Sequence, residues 1–367
     1  MSHLLLHSLH EGLNARFAQV NGEEVVDDYG DASAEHAALA GAAGVVDLGF
    51  RSRLCVTGAD RARFLHGQVT NDVKNLQPGQ GCYAALVNAK GKLESDLNIH
   101  CLRDELLLDF EPGMAARVQQ RLEHFIVADD VQLVDVAPLY GLLGVLGPAA
   151  AGMMGQSGTG WTLPRLPFSS TTVSDPAHGD VVIVHQSHGA AIGFDLFVPA
   201  ASLAAVAKLL IAAAMSSGGR ACGWQALERI RIEAGLPRFG RDMDETNLAP
   251  ETGLETRAIA YDKGCYIGQE VINKLRTFAH VNKSLRGLKL AADLNTMPAR
   301  GDKLLHDGRE VGHVTSALAS PALGNIALGY VRSQCNAPGT ELIVRTAAGE
   351  FPARVVPLPF SRGAALR

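Results

Sequence analysis

The sequence predicts an α+β protein that ends in a small β-barrel, and three observations lead to this fold class. The chain has 367 residues, whereas a single hydrophobic core stops growing at roughly 250–300 residues. Strand-like and helix-like segments are mixed without the strict alternation of a parallel sheet. After residue 285 the pattern changes to short strands separated by Gly, Asp, Asn and Pro turns, which is typical of a small barrel or sandwich. We therefore expect an α+β region over residues 1–285, with two subdomains that can be interleaved in sequence, and a barrel domain over residues 286–367.

The elements of the first part follow from caps, turns and apolar spacing. Ser33 can cap a helix that stops at Gly44. Pro112 suits the first turn of a helix whose apolar residues recur at helical spacing as far as Ile126. Residues 89–91 predict a hairpin, because Gly tolerates positive φ. The other predictions are strands over 51–57, 82–88, 93–102, 106–110 and 131–136 and a helix over 60–68.

The second part begins with residues 153–180, which are rich in Gly, Ser, Thr and Pro and predict loops. Strands are predicted over 181–185 and 194–198, and helices over 202–215 and 223–235. The last helix is expected to end at Gly235, with Pro237 just beyond it.

Composition excludes several classes of protein. The chain is 47% hydrophobic and 19% charged, which is ordinary for a soluble globular protein. Its net charge is −5 and its pI about 6.2, so direct binding to nucleic acid through phosphate contacts is not expected. No apolar stretch reaches the length of a membrane helix and no signal peptide is recognisable, which predicts a cytoplasmic protein without a membrane partner. The six cysteines are scattered, so neither a metal site nor a disulfide framework is predicted.

The segment Lys263–Glu270, with the sequence KGCYIGQE, is the most informative one for chemistry. Its two glycines allow tight turns, and Lys263 places a positive charge near the thiol of Cys265. A thiol beside a cation and near a helix N-terminus has its thiolate favoured. The residues alone leave two alternatives open: a nucleophilic or redox-active Cys265, and a structural cysteine in a tight turn.

The same segment resembles the K-G-C-Y-x-G-Q-E signature of YgfZ-type proteins, a branch of the glycine-cleavage T-protein (aminomethyltransferase) superfamily. The matching positions are Lys263, Gly264, Cys265, Tyr266, Gly268, Gln269 and Glu270. Further blocks that resemble the superfamily occur in order along the chain, at residues 58–65, 70–73, 231–237, 247–251, 312–316 and 327–331. The resemblance thus extends over nearly the whole sequence.

The resemblance implies two ferredoxin-like α+β units around a channel that binds tetrahydrofolate or a derivative, followed by the barrel. T-proteins carry a pair of aspartates near the reactive edge of folate; here Asp96 matches the second and Ser95 replaces the first. Asp96 is therefore a candidate catalytic and folate-binding residue, with a solvated strand residue as the alternative. Ala191 stands where T-proteins have a pterin-binding glutamate.

The resemblance also implies a partner for the carboxylate tail of folate. Arg231 matches an arginine in this role, which suits its planar guanidinium, and an exposed helix arginine is the alternative. Arg257, Lys263 and Tyr266 are further candidate cofactor-binding residues. A basic run after the signature could bind phosphate or form a solvated face; it comprises Lys274, Arg276, His280, Lys283 and Arg286.

Two functions are expected from this resemblance. The first is an accessory role, more than an enzymatic one: a folate-binding protein that supports iron–sulfur cluster assembly or repair in client enzymes, some of which modify tRNA. Cys265 would be its functional thiol, and iron–sulfur client or assembly proteins its transient partners. The alternative is a folate-dependent aminomethyl or one-carbon transferase of the T-protein type. Ser95 and Ala191 favour the first function, because transferases have acids at these places.

Overall fold

The computed structural model describes residues 3–277, 281–294 and 296–360. The elements of the α+β region are α1 (His7–Gly12), β1 (Arg16–Val20), β2 (Glu23–Asp28), α2 (Ala32–Gly41), β3 (Gly44–Asp47), β4 (Ser52–Thr57), α3 (Arg61–Gln68), β5 (Gly81–Val87), β6 (Leu93–Cys101), β7 (Leu106–Phe110), α4 (Ala115–Glu123), β8 (Gln132–Asp135), β9 (Tyr140–Leu146), α5 (Ala150–Gln156), β10 (Ser170–Asp175), β11 (Gly179–His185), β12 (Gly193–Pro199), α6 (Ala200–Ser216), β13 (Arg220–Cys222), α7 (Trp224–Glu233), α8 (Glu255–Ala258) and α9 (Gln269–Thr277). The strands that follow are β14 (Lys283–Leu290), β15 (Lys303–His306), β16 (Arg309–Ser320), β17 (Gly324–Arg332), β18 (Glu341–Thr346) and β19 (Gly349–Val356).

The α+β region contains two large sheets with helices packed against them and a small antiparallel sheet formed by β1 and β2. One large sheet has the order β10-β11-β12-β9-β3-β13, and the other has the order β5-β6-β7-β4-β8. The first sheet therefore takes strands from before and after the second. Helix α6 buries Leu203, Val206 and Leu210 in the core of the first sheet, and α3 buries Phe64 and Leu65 in the core of the second. The predicted α+β class is confirmed.

The C-terminal strands close into a barrel of order β14-β17-β16-β15-β18-β19, as expected. Its interior is filled by alternate apolar side chains such as Leu304, Val314 and Val331, because successive strand residues face opposite sides of a sheet. The domain boundary between residues 285 and 286 stays a prediction, and it falls within β14.

Three local predictions were wrong in detail. Asp31, and not Ser33, caps α2: its carboxylate accepts hydrogen bonds from the backbone N–H groups of Ser33 (3.1 Å) and Ala34 (2.9 Å). Helix α4 ends at Glu123, before Ile126. Residues 153–180 contain the end of α5 and all of β10. The polar composition of β10 hid a strand that forms by pairing with β11 at the sheet edge, where polar residues are tolerated.

No helix in the described part of the chain is long and apolar enough to cross a membrane.

Candidate functional site

A cavity of about 430 Å³ lies where both sheets, α7 and the loops after β7 and β11 meet. Cavities of roughly 300–1,000 Å³ are the size that holds cofactors and drug-sized ligands. The predicted residues Asp96, Arg231 and Arg257 all line it, although they lie far apart in the sequence. The structure therefore brings together three of the five residues that the resemblance assigned to folate.

Asp96 occupies this position because of the register of the β5–β6 hairpin. Residues of β6 alternate between faces, so Ser95 is fully buried and shares its face with the core residue Leu97, while Asp96 lines the cavity. Tyr83 is the diagonal neighbour of Asp96 on β5, and its hydroxyl donates a hydrogen bond to Oδ2 (2.7 Å). Oδ1 of Asp96 is buried and has no hydrogen-bond partner among the described residues. Burial raises the pKa of Asp96.

A network of charges around Glu111 forms another part of the wall. Arg51 donates to the buried carboxylate of Asp109 and lies 3.7 Å from Glu111, while Nη1 of Arg238 donates to Glu111 Oε2 (3.2 Å). Burial raises the pKa of Glu111 to about 7, against the effect of both arginines. Burial also opposes ionisation of Asp109, but Arg51, His100 and His188 together outweigh it and hold the pKa of Asp109 well below its usual range. The cavity thus contains two carboxyl groups with raised pKa values, Asp96 and Glu111.

Arg231 is held in place on α7 by acceptors of the protein itself. Nε and Nη2 donate to the two carboxylate oxygens of Glu228 (2.9 and 2.8 Å), and Nη1 donates to Asp242 (2.5 Å). The carbonyl of Leu236 and the hydroxyl of Ser316 accept the two remaining N–H groups. An arginine has five N–H donors, so all of them are engaged.

Arg257 is the contrasting arginine of the wall. It is half-buried, and its guanidinium lies 5.2 Å from the ring centroid of Tyr83. Among the described residues, no carboxylate forms an ion pair with it, whereas Arg51, Arg231 and Arg238 are all paired. Of these arginines, Arg257 is the one available to an anionic ligand.

Aromatic rings complete the lining. Phe50 and Trp224 meet edge to face, with centroids 5.4 Å apart, and Phe168 also faces the cavity. Together with the unpartnered Oδ1 of Asp96, these surfaces suit a flat, conjugated ligand that carries N–H groups. Ala191, at the place of the expected pterin glutamate, lines the cavity without offering an acid.

The segment Lys263–Glu270 lies outside this lining. The ammonium group of Lys263 donates to the backbone carbonyls of His66, Val69 and Asn71 at 2.6–2.8 Å, which uses its three N–H groups. Burial lowers the pKa of Lys263 to about 8. The ring of Tyr266 packs in a hydrophobic core with Val87 and Leu93, 4.9 Å from that ammonium group. The sequence grouped Lys263 and Tyr266 with the cofactor-binding residues, and the structure separates them from Asp96 and Arg231.

The remaining residues of the segment shape a turn. Gly268 has φ = +84°, and a Cβ there would lie 2.6 Å from the carbonyl oxygen of Asn88, so only glycine fits. Glu270 is exposed and pairs with Lys274 on α9, which begins at Gln269. Gly264 has room for a side chain, since a Cβ would lie 3.5 Å from its nearest neighbour, the ring of His66. Cys265 is exposed, and its chemical role stays a prediction.

Sequence reasoning missed Tyr83, Glu111, Arg51 and Arg238. No motif marks them: each is an isolated polar residue next to or within an apolar strand or turn. The diagonal placement of Tyr83 next to Asp96 was readable in principle from the hairpin register, whereas the Arg238–Glu111 contact joins positions 127 residues apart.

Comparison with known proteins identifies relatives with the same two-part organisation, an α+β region followed by a barrel. Residues 6–263 match the family described as GCVT N-terminal domain, and residues 283–361 match the glycine cleavage T-protein C-terminal barrel domain. The aminomethyltransferase of Streptomyces avermitilis is 28% identical, covering 98% of this chain and 97% of its own length. That of Ralstonia pickettii is 29% identical, covering 99% and 98%. The crystal structure of the glycine cleavage system aminomethyltransferase T from Bartonella henselae superposes with a TM-score of 0.87 at 24% identity, covering 99% and 98% of the two chains.

These findings correct the first functional expectation. The relatives named here are aminomethyltransferases, so the accessory role in iron–sulfur cluster assembly, with its client proteins and link to tRNA modification, was wrong. The geometry agrees with this correction, because Ser95 points into the core and its substitution removes no carboxylate from the cavity. With both domain matches in order along a chain of the same fold, this protein belongs to the glycine-cleavage T-protein family.

Proposed function

We propose that this chain is a tetrahydrofolate-dependent transferase that moves an aminomethyl or related one-carbon group. The observation that carries the proposal is Asp96, whose buried Oδ1 has no partner in a cavity of cofactor size. A buried acceptor without a hydrogen bond is costly, which indicates that a ligand or water completes it. The sequence of Lys263–Glu270 resembles that of YgfZ-type proteins, and the activity proposed here is that of the wider superfamily, which both domain matches support.

The residues of the cavity fit each part of tetrahydrofolate. A pterin ring has N–H groups for Asp96 and a flat surface for Phe50 and Trp224. Its glutamate tail has carboxylates for a guanidinium. We assign the tail to Arg257, because the N–H groups of the predicted partner, Arg231, are all engaged by protein acceptors.

Bound tetrahydrofolate would supply ring nitrogens that accept a one-carbon group. The protein's part is electrostatic and acid–base chemistry. The carboxylate of Asp96, oriented by Tyr83, stabilises positive charge on a nearby substrate nitrogen and accepts a proton from it. Glu111, with a pKa of about 7, is a second group that can gain or lose a proton near neutral pH.

Calorimetry with tetrahydrofolate and 5-formyltetrahydrofolate tests the binding part of the proposal. Transfer is tested by mass spectrometry, as movement of an isotope-labelled one-carbon group from an aminomethyl donor to tetrahydrofolate. Asp96→Asn keeps the shape of the side chain and is expected to lower turnover by about 100-fold or more. Asp180→Asn is the matched control and should leave turnover unchanged. Asp180 is exposed, and its carboxylate accepts a hydrogen bond from the hydroxyl of Ser174 on the neighbouring strand.

Saturable binding with turnover that depends on Asp96 supports the proposal. Saturable binding without turnover would leave a folate-binding protein and contradict the transferase. Absence of binding to either folate would contradict both parts.

A further inference from the structure

A row of basic side chains lies on the outer face of the barrel, where it meets the α+β region. Strand register places Lys283 of β14 directly opposite Arg332 of β17. His313 of β16 lies opposite both Lys303 of β15 and Tyr330 of β17. Lys303, His313, Tyr330 and Arg332 each adjoin a residue of the barrel core in the chain, so their side chains face outward. Lys283 lies opposite Arg332 and shares this outer face. Of the basic run found in the sequence, only Lys283 belongs to this row, and His280 lies outside the described residues.

Lys283 and Arg332 lie side by side at the β14 end of this row, without an acid at ion-pair distance among the described residues. Like charges that lie directly opposite each other on a sheet are destabilising, yet neither Lys283 nor Arg332 forms an ion pair with any residue that the structure describes. The nearby acids are closer to other cations, since Asp244 lies 3.5 Å from Arg300 and Glu310 lies 2.9 Å from Lys303. Lys283 and Arg332 therefore act on these two carboxylates only at longer range. The whole chain carries a net charge of −5, so this positive region is local.

The positive potential affects a neighbouring group. Burial lowers the pKa of His313, and Lys283, Lys303 and Arg300 lower it further, against Glu310. The imidazole therefore loses its proton more easily where the cations accumulate. This is the behaviour expected of a site that attracts an anion from solution.

Space for a ligand adjoins the pair. A cavity of about 520 Å³ lies between Lys283, Arg332 and, on the opposite side, Lys92 and Thr246. A second cavity of about 180 Å³, lined by His313 and Tyr330, shares Lys283 and Arg332 with the first. The hydroxyl of Tyr330 is buried without a hydrogen-bond partner among the described residues. The Lys283 ammonium lies 4.7 Å from the Tyr330 ring centroid, which positions it at the junction of the two cavities.

We propose that this basic groove binds the phosphate groups of a small molecule, such as pyrophosphate or a nucleoside triphosphate. A planar guanidinium and an ammonium group side by side are a common pair for phosphate oxygens, the first bidentate and the second a point charge. The size of the groove and the acids at its edge, Glu251 and Glu310, favour a small anion over a long nucleic acid. The site is separate from the folate cavity and does not depend on the proposed transferase activity.

The test is calorimetric titration of the full chain with inorganic phosphate, pyrophosphate and ATP, at low and at physiological ionic strength. We expect saturable binding of pyrophosphate or ATP, weakened roughly tenfold or more in Lys283→Ser and in Arg332→Ser. Lys289→Ser on β14 and Arg354→Ser on β19 are the matched controls, because both residues are exposed on the same barrel and have partners of their own. Both controls should bind as the parent does.

Thermal unfolding of each variant establishes that it is folded and gives an independent measurement. Pyrophosphate should raise the melting temperature of the parent and of both controls, and not that of Lys283→Ser or Arg332→Ser. Absence of saturable binding by all three anions would overturn the proposal. Equal binding by parent, variants and controls would also overturn it, as would a single-stranded oligonucleotide that binds at least about tenfold more tightly than ATP and depends on Lys283.

Discussion

The cavity lined by Asp96 and the Lys263–Glu270 segment both contain charged residues beside tyrosines. They differ in whether the protein itself supplies the partners of these charged groups. In the segment, the ammonium group of Lys263 donates hydrogen bonds to three backbone carbonyls, and the ring of Tyr266 packs in the hydrophobic core. In the cavity, Oδ1 of Asp96 and the guanidinium of Arg257 have neither a hydrogen bond nor an ion pair from the described residues. Lys263 and Tyr266 of the conspicuous motif thus have their partners within the protein, whereas residues dispersed in the sequence form a surface whose polar groups lack partners among the described residues.

The largest expected effect tests the structural side of this contrast. Lys263→Met would leave three carbonyls without their donor, and we expect a loss of about 3–5 kcal/mol in the free energy of unfolding. Urea denaturation measures it. Lys274→Met on the exposed face of α9 is the control and should change stability little. A folded, stable Lys263→Met protein that no longer binds folate would show instead that the segment belongs to the cofactor site.

A substitution at Glu111 tests whether burial in the cavity disfavours the ionised form of this side chain. Its pKa is about 7 in the folded protein and 4.5 when unperturbed, so the folded state binds the proton more tightly. The stability that this group contributes is therefore present below pH 4.5 and is lost as pH rises through 7. Glu111→Gln should flatten the stability profile between pH 5 and 8 by about 1–3 kcal/mol, measured by urea denaturation at each pH. An unchanged profile would contradict the assignment.

Two of the arginines that line the cavity, Arg231 and Arg257, test the same comparison. Arg257→Gln should leave stability nearly unchanged and weaken binding of tetrahydrofolate about tenfold, because the tail loses a charge-assisted contact. Arg231→Gln should instead destabilise the fold by about 3–5 kcal/mol, since Asp242 and Glu228 would remain buried without their partner. Calorimetry and urea denaturation of both variants separate the roles. Weaker folate binding by a stable Arg231→Gln protein would favour the original tail assignment.

The smallest effect is expected at Cys265. Its side chain is exposed and no residue in the described structure accepts a hydrogen bond from it, so Cys265→Ser should change stability by less than about 0.5 kcal/mol. Folate affinity should also stay the same, because Cys265 does not line the cavity. Calorimetry checks this. A lower folate affinity of Cys265→Ser would contradict the separation of the Lys263–Glu270 segment from the cavity.

Sequence patterns predicted the strands β4–β7 and the barrel because their apolar alternation and turn residues are local signals. They failed at β10, which depends on its partner β11. They also failed at the cap of α2, because the helix begins at Ala32 and the side chain of Asp31 caps the N–H groups of Ser33 and Ala34. Asp96 and Arg231 were found through resemblance. Glu111 and Arg238 could not be found, since only the folded chain brings them together.

The glycine at position 268 also limits how the protein can be modified. A surface hairpin such as residues 88–92 ordinarily accepts inserted residues and labels. Here Gly268 presses on Asn88, Val271 lies against Gly91, and Lys92 pairs with Leu248, so the hairpin tip is enclosed on three sides. Its strand β6 carries Asp96. This tip is therefore a poor place for a tag or a length change, and a probe there would disturb β6, a strand that lines the cavity.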